Sequence, residues 1–264
     1  MPRRIAQAAR FSADPLGKTS QKETSTNPFQ GVFLVNENRR FPTPQGYPTA
    51  ADARQSGLTI EGGAINYLKQ VYALLAGSLV VSVAAGAVGM TLPFAHEHPI
   101  ILMVMMFGAL FLAMKVQNTA TLFLFTGISG LSLGPVIAIY VGAGMSHIVG
   151  QAAFLTAAIF FGLTFYAMTA KKDFSMMGGM LFAGLIIVVV GGLVNMFIHS
   201  TAISFAISAV GALIFSGFIL FETQRLKMEP WAVSPSVAAL SMYLNVVNLF
   251  TSLLQLLGIF GSDD

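Results

Sequence analysis

The chain has 264 residues and a formal net charge of +3. It is 55% hydrophobic and only 9% charged, against about 25% charged residues in ordinary soluble domains, and its mean hydropathy of +0.74 excludes a soluble globular fold. It has no cysteine, so neither a disulfide framework nor thiolate chemistry is available.

Residues 1–64 are rich in Ser, Thr, Pro, Gln, Asn and Gly, with scattered charges. They read as a polar, disordered cytosolic tail. The opening Met1-Pro-Arg-Arg-Ile-Ala-Gln-Ala-Ala-Arg10 lacks the apolar core of a secretory signal. It has the Arg-rich look of a mitochondrial presequence, but a basic tail near anionic lipid is the preferred reading. Residues 65–264 are a transmembrane domain. In lipid every backbone N–H and C=O must be paired internally, so apolar runs of about 20 residues predict spanning helices. The expected spans are Val71–Phe94, Pro99–Met114, Thr119–Met145, Ile148–Ala170, Met176–Ile198, Ile203–Phe221 and Val237–Phe260. The second is short and extends its reach by snorkelling of Lys115 and Gln117. The third contains Gly130-Leu-Ser-Leu-Gly134-Pro135, and Pro135 predicts a kink or break near Gly134. The seventh is the least apolar, and either crosses or dips into the membrane and returns.

All fourteen Lys and Arg residues fall on one side of this alternation. Nine lie before or at the entry of the first span; the rest are Lys115, Lys171, Lys172, Arg225 and Lys227. Basic residues are retained on the cytoplasmic side, so the N-terminus is inside, and seven crossings leave the C-terminus outside. No basic face remains for nucleic acid. His96, His98, His147 and His199 all fall on the opposite, outer side. Histidine titrates near neutral pH, so this face has titratable groups, although polar residues in short interfacial loops are the commoner reason for such a pattern. His96-Glu-His98 offers too few ligands for a metal site.

No P-loop, HExxH or Gly-x-Ser-x-Gly is present, and the chain is not expected to be an enzyme. Polar side chains inside the spans are the informative ones. Ser241, Asn245, Asn248, Ser252 and Gln255 are spaced by four, three, four and three residues, which places them on one stripe of a helix. That stripe serves either an ion path or interhelical hydrogen bonding, the latter worth about 0.6 kcal/mol per contact. In the sixth span Ser204, Ser208, Gly211 and Glu222 share a face. Glu222 is then an ion ligand or proton-sensitive latch, or else half of an interfacial pair with Arg225 at i, i+3. Gly130 with Gly134, Gly178-Gly179 and Gly191-Gly192 are close-approach sites for neighbouring helices. Met103, Met105 and Met106 do not share a face and are packing residues.

Phe221-Glu-Thr-Gln-Arg225 and Ala239-Leu-Ser-Met-Tyr-Leu-Asn-Val-Val-Asn-Leu-Phe-Thr-Ser-Leu-Leu-Gln-Leu-Leu-Gly258 resemble the C-terminal signature of the Bax-inhibitor-motif family. Tyr67-Leu-Lys-Gln-Val-Tyr72 and Ser129-Gly-Leu-Ser-Leu-Gly-Pro135 add support, and the ending Gly258-Ile-Phe-Gly-Ser-Asp-Asp264 is similar to the bacterial branch. The resemblance covers residues 65–264 and implies an all-α bundle of seven helices, six around a central C-terminal one, in a bacterial inner membrane. It also implies one of two roles: a pH-sensitive calcium leak, with calcium as the permeant ion and no other cofactor, or regulation of a membrane-bound AAA-type quality-control protease. Leak-forming members carry two aspartates, at positions that the motif matches to Glu222 and Asn245. A Glu–Asn pair cannot share a proton as two carboxylates do, so the expected pH gating is weakened or displaced.

Overall fold

A computed structural model describes residues 60–261. Among them the only regular structure is helix, with seven helices long and apolar enough to cross a membrane. They are α1 (Ile60–Gly89), α3 (Pro99–Val116), α4 (Thr119–Gly142), α5 (Ser146–Thr169), α6 (Met177–Ile198), α7 (Thr201–Met228) and α8 (Pro235–Gly261), with a short α2 (Pro93–Glu97) between the first two. The chain is therefore a multi-pass membrane protein.

Local chemistry sets several of the ends. Asn118 caps α4, its side chain accepting from Thr121 N at 2.8 Å, and Ser200 caps α7 by accepting from Ile203 N at 3.4 Å. These caps satisfy donors that a helix start leaves free. Gln117 and His199 stop α3 and α6 in the left-handed conformation, each with φ of 54°.

One expectation needs correction, and two that left alternatives open are narrowed. The first span is displaced toward the N-terminus: α1 opens at Ile60 and ends at Gly89, whereas Phe94 belongs to α2. Pro93 starts α2, where its missing N–H costs nothing. The early start is a packing effect, because Tyr67 on the polar first turns of α1 is a buried core residue. Residues 60–64 of the expected tail thus belong to α1; the remainder of that tail lies outside the described residues. Next, α4 is not broken at Pro135, which lies inside a continuous helix. Proline removes the hydrogen bond to the carbonyl four residues back, here Leu131, and that carbonyl faces Gly89 so closely that a Cβ on Gly89 would sit 2.5 Å from it. Contact with the α1 backbone thus covers the carbonyl that Pro135 frees. Last, α8 makes no turn. Its 27 residues span about 40 Å at 1.5 Å per residue, more than the roughly 30 Å hydrocarbon core, so it is built to cross and not to dip and return.

The C-terminal helix α8 is the centre of the bundle. It packs against α1, α4, α5 and α7, and half of its most apolar stretch is buried, against 6% for α6. The two outlying helices lean on single neighbours, α3 on α4 and α6 on α7. The core runs along α8 through Ala239, Met242, Tyr243, Val246 and Leu249, with Val71 and Leu75 from α1, Phe125 from α4 and Ile219 from α7. The tightest seam joins α1 to α4. A Cβ on Gly130 would lie 2.2 Å from the Ser82 carbonyl oxygen, and one on Gly134 would lie 2.3 Å from Gly89 C.

Candidate functional site

The polar residues of α7 and α8 meet along one seam. α7 carries Glu222 six residues before its last residue, Met228, about 9 Å inside the end of the helix. Glu222 is buried at 6% exposure. Its carboxylate faces the Arg225 guanidinium at 3.8 Å, one turn along the same helix, and Arg225 is itself 42% exposed. Ser241 of α8 and Tyr67 of α1 interact with it as well. Glu222 is thus a buried carboxylate with a partly exposed cation beside it and hydroxyl groups of α8 and α1 nearby.

Asn245 follows Ser241 by one turn and is also buried. Asn248 is half-buried, and its side-chain amide donates to the Leu244 carbonyl of its own helix at 2.8 Å. Ser252 is buried where α7 comes closest, its Oγ 2.9 Å from the position a Cβ would take on Gly211. Gln255, at the exposed end of the stripe, accepts a hydrogen bond from Ser208 at 2.8 Å. The small face of α7 therefore divides: Ser208 and Gly211 meet α8, while Ser204 accepts from Asn195 of α6 at 2.6 Å. The stripe thus differs along its length, with hydrogen-bonded packing toward Gln255 and a buried acid of α7 toward Ser241.

The four histidines are exposed at the opposite end. His96 Nδ1 lies 3.1 Å from the Leu92 carbonyl oxygen. The His98 ring stacks obliquely on Phe94 at 5.1 Å. His147 is in the first turn of α5, and His199 Nδ1 lies 3.1 Å from the Phe197 carbonyl oxygen at the end of α6. Among the described residues no three His, Cys, Asp or Glu side chains gather into a metal site.

Several contacts gave no periodic signal in the sequence. Tyr243 donates to Ser82 Oγ at 2.7 Å and sits edge-on to Phe125, tying α8 to α1 and α4. Tyr67 donates to the Val233 carbonyl at 3.1 Å, and the Trp231 ring fills the space over Gly63. The α7–α8 turn is thereby latched onto the first turns of α1, beside Glu222. Gln224 accepts from Phe174 N at 2.6 Å and donates to the Lys172 carbonyl, holding the α5–α6 loop against α7. A lone Tyr or Gln in an apolar helix points at a partner, but not at which one.

Comparison with known proteins fits this architecture. A family model described as "Inhibitor of apoptosis-promoting Bax1" matches residues 65–262. The chain is 43% identical over 203 residues to an "Uncharacterized membrane protein" of Vibrio cholerae, covering 75% of this chain and 91% of that protein. It is 38% identical over 201 residues to the "Modulator of FtsH protease YccA" of Escherichia coli K12, covering 75% of this chain and 91% of that one. A match of the same identity and extent in the CFT073 strain carries the name "Inner membrane protein YccA". Mouse "Protein lifeguard 4" is 30% identical over 233 residues, covering 81% of this chain and 96% of that protein.

Proposed function

Since the chain belongs to the family of inhibitors of apoptosis-promoting Bax1, we propose that it acts by binding, as a non-enzymatic inner-membrane modulator of a membrane-bound AAA-type quality-control protease. The observation that carries this reading is its likeness, along 91% of the relative's length, to a protein named for modulating such a protease. The packing of the bundle agrees with it. Hydrogen bonds between Ser208 and Gln255 and between Tyr243 and Ser82 make a tied core, which suits a protein whose work is done by its outer surfaces. By the distribution of lysines and arginines the N-terminus faces the cytoplasm, and the polar segment before α1 is there as a recognition tail. The test is to isolate the full chain under mild detergent from cells holding an affinity-tagged membrane protease of the FtsH kind, beside a form lacking residues 1–59. Co-isolation and slowed turnover of a membrane substrate by the full chain, both weakened without the tail, are the expected results. A full chain that leaves the protease unbound and its turnover unchanged would end this reading.

A second reading rests on the buried Glu222 with Ser241 near it and Asn245 buried one turn further along α8. On this reading calcium permeates along Ser241, Asn245, Asn248, Ser252 and Gln255, with Glu222 as ion ligand or proton-sensitive latch and Arg225 paired with it at 3.8 Å. Because asparagine replaces the second acid, flux in sealed vesicles should depend only weakly on pH between 6 and 8, and Asn245→Asp should make that dependence steeper. Glu222→Gln should abolish the flux. Absence of flux from well-folded protein in all three forms would leave the binding role alone.

A further inference from the structure

At the basic end of the bundle, between the α5–α6 loop and the last turns of α7, lies a cavity of about 190 Å³. Pockets for drug-sized ligands measure about 300–1,000 Å³, so this one takes a small group. Its polar wall carries Asp173, Gln224, Arg225 and Glu229, and its apolar wall Phe221 and Met228. The cavity is preformed: Gln224 holds the loop backbone at Phe174 and Lys172, and Asp173 Oδ1 accepts from Ser175 N at 2.8 Å. Beneath it, Phe221 is wedged against Gly178 in the first turn of α6.

The charges define the occupant. Two carboxylates, Asp173 and Glu229, line a site whose single cation, Arg225, is already shared with Glu222. Such a site selects a positive group, while Arg225 still has donors for an anionic one. Two acids are too few to enclose a divalent ion without other ligands. The cavity also sits where α5 ends and α6 begins; Met228 lines it and Met176 follows its lining residue Ser175, and the two methionines are 58% and 92% exposed. Exposed methionines beside a charged recess match the boundary between acyl chains and headgroups.

We propose that this cavity binds the zwitterionic headgroup of an aminophospholipid, with its ammonium between Asp173 and Glu229 and its phosphate on Arg225. The acyl chains lie over Met176 and Met228. Because Arg225 also holds Glu222, a bound phosphate draws the guanidinium outward and loosens the latch on the buried acid, so the lipid acts on the α7–α8 seam.

The experiment is native mass spectrometry of the full chain, released from mixed micelles holding equal phosphatidylethanolamine and phosphatidylglycerol. Phosphatidylethanolamine should be retained over phosphatidylglycerol by about tenfold, a factor that one charge-assisted contact supplies. Asp173→Asn with Glu229→Gln should reduce that ratio to about one; Asn keeps an acceptor for Ser175 N, and Glu229→Gln alone, expected to lower the ratio part-way, serves if the double variant does not fold. Equal retention of the two lipids by the unaltered chain would overturn the proposal, as would a preference unchanged in the variants. Soluble phosphoethanolamine competing as well as the lipid would show the headgroup site to serve a free metabolite and would overturn the lipid assignment.

Discussion

The residues that matter most in this protein are polar groups with few alternatives inside an apolar medium. Tyr243 is fully buried, and its hydroxyl reaches Ser82 across the bundle at 2.7 Å. Tyr243→Phe keeps the ring against Phe125 and removes that bond together with the longer one to the Thr126 carbonyl at 3.5 Å. The expected loss is about 0.5–1.5 kcal/mol, read as a lower midpoint in detergent-scanning unfolding with an unchanged helical spectrum. Glu222 has a different balance. Its partner Arg225 is 42% exposed, so solvent screens the pair and its contribution to stability is under about 1 kcal/mol. Glu222→Gln should therefore leave the fold intact, which makes it a clean probe of flux.

At the scale of the helix, glycine decides how closely α1 and α4 approach. Gly134 touches the backbone of Gly89 and Met90, and Gly130 touches that of Ser82. Backbone cannot swing aside as a side-chain end can, so Gly134→Ala should cost at least about 2 kcal/mol through overpacking. Gly108 on α3 has open space where its Cβ would be, and Gly108→Ala should be neutral or slightly stabilising by helix propensity. Comparing the two by thermal unfolding separates close packing from a general dislike of alanine; equal effects would mean that the α1–α4 seam yields. The paired glycines of α6 divide in the same way. Gly178 and Gly191 lie against Phe221 and Ile207 of α7, while Gly179 and Gly192 meet nothing.

At the scale of the molecule, the two ends of the bundle have opposite chemistry, with lysines and arginines at one and histidines at the other. Orientation in the membrane is testable because the chain has no cysteine of its own. Single cysteines placed by Lys171→Cys and His147→Cys should label from opposite sides, the first from the cytoplasm and the second from outside. The reverse pattern would invert the orientation read from the charges and move the aminophospholipid site to the other leaflet.

Hydropathy alone was enough to give seven spans and their order, because a backbone in lipid has no stable course except the helix. Charge asymmetry supplied an expected orientation. The sequence motif around Glu222 and Asn245 marked the seam between α7 and α8. Tertiary structure decided what periodicity does not contain. It moved the start of α1 back to Ile60, since Tyr67 and Gly63 gain partners only from the α7–α8 turn. It kept α4 whole at Pro135, because the freed carbonyl meets another helix's backbone. It also divided the polar stripe of α8 between packing bonds and a buried acid's surroundings. A side chain's position on its own helix follows from 3.6 residues per turn, whereas its partner depends on which helices lie beside it, and that is fixed only when the bundle closes.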